Sequence, residues 1–253
     1  MTRSGGEPLR RILFVGDLHA RPSLLPLVDR LAGRHDVDRI ILLGDVMDDW
    51  HESDRSLARW AGVFAEWARS HRPPVILLAG NHDAPYLLDR EHALLLRDRG
   101  LTPGFHPGAW HDAHRMLNGL DWRVAWAGEP GLLASHAGVT LPWAQVNLPD
   151  LTARGIAGRL NHEDRHRLLF RLMLACGRAR GGSMLPGPLW CDRRELEPIP
   201  GVTQIVGHTP VPSVIHERGS WFVDTMSRSP DGMPLGDRGM LLWDGGMFRP
   251  VEG

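Results

Sequence analysis

Five short segments gather Asp, His and Asn at points where apolar runs end. They are Gly16-Asp17-Leu18-His19, Gly44-Asp45-Val46-Met47-Asp48, Gly80-Asn81-His82-Asp83, Ser135-His136-Ala137-Gly138 and Gly207-His208-Thr209-Pro210. Any one of them alone reads as a turn or a buried histidine; five in order read as a metal cage. Carboxylate, imidazole and amide oxygen together suit two divalent transition ions, manganese first, with iron and zinc as alternatives. Calcium favours all-oxygen cages and magnesium keeps its waters. Two such ions roughly 3.5 to 4 Å apart can hold the attacking and leaving oxygens of an in-line displacement and acidify water between them. The chemistry expected is hydrolysis at phosphorus. A glycine opens four of the five segments and is expected to let the backbone turn sharply out of a strand.

Parallel strands are the elements that can bring such segments together, because ligands of α/β sheets gather beyond the strands' carboxyl ends. The apolar runs Ile12 to Val15, Ile40 to Leu43 and Val75 to Ala79 read as buried strands. Helical spacing over Ser23 to Leu31 and Ser56 to Ala68 alternates with them, which is the βαβ order. Tyr86 to Arg97 reads as a further helix and Gly100 to Gly108 as loop. Trp122 to Ala127 and Leu132 to Ser135 flank a Gly128-Glu129-Pro130-Gly131 turn and read as a hairpin. A second hairpin is expected from Ser213 to His216 and Trp221 to Asp224, followed by Met240 to Trp243 and Met247 to Arg249. Between the hairpins lies a helical insertion at about 141–200, its best helix Glu163 to Arg178 with Asn161 as cap. No linker divides the chain, so residues 1–253 are expected to form one domain.

Composition excludes several classes. With 42% hydrophobic and 23% charged residues the chain reads as an ordinary globular protein. A formal net charge of -1 supplies no field for nucleic acid or an anionic membrane, so neither partner is indicated. Every basic side chain is arginine. Cys176 and Cys191 sit in no CxxC pair, which points to a reducing, cytoplasmic setting. The polar stretch Met1 to Arg11 and the short apolar run after it are expected to be neither a signal peptide nor a membrane span.

The five segments, in order from Gly16 to Pro210, resemble the calcineurin-like metallophosphoesterases. The nearest branch holds protein Ser/Thr phosphatases and diadenosine tetraphosphate hydrolases. The resemblance implies a four-layer α/β sandwich, two mixed sheets facing each other with helices on both outsides. It implies that Asp17, His19 and Asp45 hold one metal and that Asp45, Asn81, His136 and His208 hold the other. A metal-bridged hydroxide would attack phosphorus, while His82, oriented by Asp48, protonates the leaving oxygen. Protein phosphatases of this branch follow the second motif with Arg-Gly, and here Asp49-Trp50 stands in that place. Families cleaving cyclic nucleotides, nucleic acids or lipid A precursors end in Gly-His-x-His, where this chain has Pro210, although Asp48-Asp49-Trp50 is similar to the last of these.

The expected substrate is therefore a small phosphorylated metabolite or a nucleotide of the dinucleoside polyphosphate kind. The alternatives are a Ser/Thr protein phosphatase and, in another class, a non-catalytic scaffold of the same fold. With Arg-Gly missing, the substrate phosphate is expected to meet Arg21, Arg165, Arg171 or Arg228, with Arg193 and Arg194 as further candidates, and Trp50 is expected to wall the substrate. His162 and His166 lie one helical turn apart, but no carboxylate of ligand spacing joins them, so they are expected to face solvent.

Overall fold

The computed structural model of the chain describes residues 11–128 and 131–253. Met1 to Arg10, and Glu129 and Pro130 of the expected turn, lie outside the described residues. The strands are β1 Ile12–Val15, β2 Arg39–Leu42, β3 Val75–Leu78, β4 Trp122–Arg123, β5 Ala125–Ala127, β6 Leu132–Ser135, β7 Thr203–Val206, β8 Ile215–Glu217, β9 Ser220–Phe222, β10 Met240–Trp243 and β11 Phe248–Val251. The helices are α1 Leu25–Arg34, α2 Asp54–Ser70, α3 Ala84–Leu87, α4 Arg90–Asp98, α5 Trp110–Leu117, α6 Leu141–Asn147, α7 Ala153–His162 and α8 Arg165–Met173.

Among the described residues, one sheet runs β11-β10-β1-β2-β3-β4 and the other β5-β6-β7-β9-β8. In the first, β1, β2, β3 and β4 are parallel, while β10 lies antiparallel to β1. In the second, β6, β7 and β9 are parallel. Both sheets are mixed, as expected. Side chains alternate across a strand, and β1 shows what that does here. Ile12 and Phe14 join Ile41, Leu43, Trp126, Ala134 and Ile205 in a core between the sheets. Leu13 and Val15 join Val28 and Leu31 of α1 and Phe64 of α2 in a core under the helices. Strands buried on both faces need the continuous apolar runs that the sequence carries.

Three expectations are corrected. The helix over Tyr86 to Arg97 is two helices, because Leu88 is extended and Asp89 restarts the chain by accepting the His92 amide at 2.9 Å as an N-cap. The hairpin over Trp122 to Ser135 has only β5 paired with β6; β4 pairs with β3, so the chain changes sheets at Val124. Asn161 caps nothing. It lies in the last turn of α7, while Asp164 caps α8, which ends at Met173 rather than Arg178.

Asn161 instead secures the change of sheet. Its Oδ1 accepts from the Val124 and Ala125 amides at 2.9 and 3.3 Å, and its Nδ2 donates to the Ala125 carbonyl at 2.6 Å. Backbone groups between two strands need such a partner. Asn161→Ala is expected to cost roughly 1 to 3 kcal/mol of stability in urea unfolding; an unchanged midpoint would show that water replaces the side chain.

Candidate metal centre

The five motifs follow β1, β2, β3, β6 and β7, and all open at the carboxyl edge shared by both sheets. Asp17, Asp45, Asn81 and His136 are buried at 2% exposure or less, and His208 at 7%. The backbone that delivers them is unusual. His19, Asp45, Asp48 and His208 take positive φ between 44° and 66°, a region that costs a non-glycine residue about 1 kcal/mol or more and concentrates at functional sites. The glycines act differently from expectation at three places. Gly16, Gly80 and Gly207 have no positive φ, but a Cβ on Gly16 would collide with the Val223 carbonyl, one on Gly80 with the Asp45 carboxylate and one on Gly207 with the Asp17 carboxylate. Their role is close approach, of backbone to backbone at Gly16 and of backbone to ligand at the other two.

His136 decides whether cations fit. Its Nδ1 is 2.8 Å from the Leu43 carbonyl, which only accepts, so Nδ1 carries a proton and Nε2 is the nitrogen turned to the cage. That Nε2 lies 3.0 Å from Asn81 Oδ1, 3.0 Å from His208 Nδ1 and 3.4 Å from Asp45 Oδ2. His19 is set the same way: Nδ1 donates to the Asp48 carbonyl at 2.9 Å, freeing Nε2, which is 3.9 Å from Asp17 Oδ2. Ligand atoms of His19, Asp45 and His82 lie within 4.8 Å of one another, as do those of Asp45, His136 and His208. Buried lone pairs facing each other are costly unless something positive stands between them, and Asp45 belongs to both groups. The donor set fits a pair of divalent ions, and the tautomers are fixed by outer partners as metal-binding histidines require.

The electrostatics show positive charge drawn to the same place: burial opposes a charged His136, but Asp45 outweighs it and raises the imidazole. Burial and the neighbouring carboxylates of Asp224 and Asp45 push Asp17 well above the usual carboxylate range. Burial and His82 lower His19, and burial, His136 and Arg180 hold His208 well below the ordinary imidazole range, so both stay neutral. Burial opposes the charge of Asp45, yet His136 and His82 hold its carboxyl well down.

Beside the cage, His82 Nδ1 is 3.4 Å from Asp48 Oδ2, and Tyr86 donates its hydroxyl to Asp48 Oδ1 at 2.6 Å. Burial works against a charged His82, but Asp45 and Asp48 outweigh it and lift the imidazole to about 9. Burial raises Asp48. Asp83 accepts from the amides of Gly80, Val46 and Met47 at 2.9 to 3.0 Å, tying the second motif to the third.

A cavity of about 400 Å³ opens over these groups. Trp50 and Arg228 are on its wall, and Trp50 Nε1 donates to the Arg228 carbonyl at 3.0 Å. Arg228 Nε is buried without a partner. The other expected arginines are elsewhere. Arg165 donates to Asn118 Oδ1 at 2.7 Å, Arg171 to Glu163 at 3.0 Å, Arg193 to Glu217 at 3.2 Å and Arg194 to Asp192 at 2.8 Å; none of the four lines the cavity. Arg21 lies behind the wall, donating to the Leu18 carbonyl and 4.0 Å from Asp49, and burial lowers its pKa to about 10. The cation on the insertion side is Arg180, which sequence reasoning missed. It lines the cavity, donates to the His208 carbonyl and Thr209 Oγ1 at 3.3 and 3.1 Å, and lies 3.0 Å from Asp192. Asp224 was missed as well: it is buried near Asp17, accepting from the Ser227 amide and hydroxyl at 3.1 and 2.7 Å. The signal available was Phe222-Val223-Asp224, an apolar run ending in Asp as in Phe14-Val15-Gly16-Asp17.

With this geometry in place, the comparisons can be set beside it. The model of the calcineurin-like phosphoesterase family matches residues 10–215. The chain belongs to that family. Its calcineurin-like phosphoesterase fold is the two-sheet sandwich described above, and membership makes it a metal-dependent phosphoester hydrolase. No curated protein matches the chain. Among solved structures it is similar to the cold-active protein-tyrosine phosphatase of a psychrophile, Shewanella sp., at 17% identity and a TM-score of 0.55, over 96% of this chain and 78% of that one. A second structure of a cold-active protein tyrosine phosphatase gives 16% identity and a TM-score of 0.52, over 96% and 79% of the two chains. At such identity the likeness shows the fold.

Gly80→Ala is expected to weaken metal uptake about 10- to 100-fold, the range for disturbing a ligand's support. Equilibrium dialysis with elemental analysis reads it, and circular dichroism checks that the fold persists. Unchanged affinity would mean that Asp45 can move aside without loss.

Proposed function

We propose that the chain hydrolyses a small phosphorylated metabolite or nucleotide, with Asp17, His19 and Asp45 holding one divalent ion and Asp45, Asn81, His136 and His208 the other. The observation that carries this is the convergence of His136 Nε2 with Asn81 Oδ1, His208 Nδ1 and Asp45 Oδ2 within 3.4 Å, while His136 Nδ1 is engaged by the Leu43 carbonyl. When bound, the ion pair acidifies water and neutralises charge on the phosphoryl oxygens. Manganese remains our first choice, with iron and zinc as alternatives.

The remaining work falls to this chain's side chains. Arg228, with its unpartnered Nε, and Arg180 beside His208 stand on two sides of the cavity and suit phosphate oxygens. His208 Nε2 is buried without a partner, and with Nδ1 given to the ion its proton sits on Nε2, available to the same anion. Trp50, 58% exposed on the cavity wall, offers a face for a planar group such as a nucleobase. His82, positively charged and steadied by Asp48, can give its proton to the leaving oxygen. A full ligand set argues against a scaffold that lost its chemistry. Both cysteines are free thiols, in keeping with a reducing compartment, and no helix among the described residues is long and apolar enough to cross a membrane.

Activity of the manganese-loaded protein over mononucleotides, dinucleoside polyphosphates, phosphopeptides and sugar phosphates tests the substrate class. Phosphopeptides as the preferred group would turn the reading to a protein phosphatase. Inertness toward p-nitrophenyl phosphate and its bis ester would favour the scaffold. His82→Ala is expected to lower kcat about 10²- to 10⁴-fold on poor leaving groups and far less on nitrophenyl esters; equal losses would remove His82 from the acid role. Arg228→Ala is expected to raise KM about tenfold or more by deleting a charged phosphate contact, and an unmoved KM would place the phosphate elsewhere.

A further inference from the structure

His166, expected to face solvent beside His162, has a different neighbourhood. The two histidines are on separate helices, His162 ending α7 and His166 in the first turn of α8. The carboxylate missing from their sequence neighbourhood comes from Asp89, 77 residues away, at the start of α4. Asp89 Oδ2 is 2.8 Å from His166 Nε2 and 2.8 Å from His92 Nδ1. Ligand atoms of all three lie within 4.8 Å of one another. The imidazoles meet edge to face at 5.1 Å, and Phe170 packs against His92 at 4.6 Å.

With a single proton, His166 Nε2 can serve only one of its two contacts to Asp89. The Asp89 amide points its hydrogen at His166 Nε2 over 2.9 Å, which requires a lone pair there. That lone pair then faces Asp89 Oδ2 at 2.8 Å, an acceptor against an acceptor. Moving the proton to Nε2 relieves the second contact and opposes the first. A cation between Nε2 and Oδ2 turns the acceptor pair into two ligand bonds, and the amide is exposed enough to turn to water. Donors about 2.0 to 2.1 Å from zinc lie roughly 2.9 to 3.4 Å from each other, so the two 2.8 Å separations from Asp89 need only small shifts, and the two imidazole nitrogens, within 4.8 Å, close on the ion by side-chain rotation. Exposure of 36 to 51% for the three side chains leaves room for entry and for a water as fourth ligand.

We propose that Asp89, His92 and His166 form a third metal site, separate from the dinuclear centre and selective for zinc-like ions that prefer two imidazoles and a carboxylate. The site staples α8 of the insertion to the α3–α4 corner of the core. The chain leaving α8 leads to Arg180 and Trp190 on the cavity wall, so the staple steadies the segment that supplies them.

The test compares the wild-type protein, His166→Ala and His162→Ala after dialysis against the same excess of zinc at pH 7.5, with elemental analysis. The difference between proteins, not the total, reads the site, so the result does not depend on how the central cage fills. Wild type and His162→Ala are expected to retain one more zinc per chain than His166→Ala, and His92→Ala is expected to match His166→Ala. Zinc at about 100 times its dissociation constant is also expected to raise the Tm of the wild type roughly 5 to 10 °C above any rise in His166→Ala. Equal zinc content and equal Tm shifts in all four proteins would overturn the proposal and leave a hydrogen-bonded histidine pair. These histidines are on the surface and outside the catalytic cage, so hydrolysis of p-nitrophenyl phosphate by each variant reports that it has folded.

Discussion

Nitrogen and oxygen donor atoms crowded together in a buried space, where only positive charge reconciles them, govern this molecule. At the heart of the centre, His136 Nε2, Asn81 Oδ1, His208 Nδ1 and Asp45 Oδ2 converge, while His136 Nδ1 is turned away to the Leu43 carbonyl. The acidic side repeats the arrangement with Asp17, Asp45 and Asp224, all buried. A hydrophobic core gains nothing from such a cluster, and its cost is offset only when positive charge enters.

The surrounding backbone is organised to hold that costly arrangement still. Four non-glycine residues of the motifs take left-handed conformations, and Asp83 joins two motifs through three amides. Gly80 and Gly207 are bare so that carboxylates can rest against them. Strain of this kind persists only where packing over-determines it. The two apolar cores on either side of each parallel strand supply that packing.

How much of this was legible follows from how local each signal is. The strands β1, β2 and β3 were readable because burial on both faces demands uninterrupted apolar runs. The candidate ligands could be named because each closes such a run. The hairpin over Trp122 to Ser135 was misread because pairing partners are chosen in three dimensions, and β4 found β3 instead. Arg165 and Arg171 were named from their helix, but the face of α8 that they occupy meets Asn118 and Glu163. Arg180, which does reach the cavity, sits in a Gly-rich turn with no periodicity to point it anywhere. The match of Asp89 with His166 spans 77 residues and two helices, and no spacing rule reaches that far.

The cage also straddles two layers. Asp17, Asp45 and Asn81 leave the strands of one sheet, while His136 and His208 leave those of the other. The bore of the cage is therefore set by the thickness of the apolar filling between the sheets, where Phe14 meets Trp126 edge on at 6.0 Å. Cations held there would act as rivets through a laminate: they would resist any shear of one sheet over its neighbour, and a change of volume deep in the filling would reach the spacing of candidate ligands that it never touches.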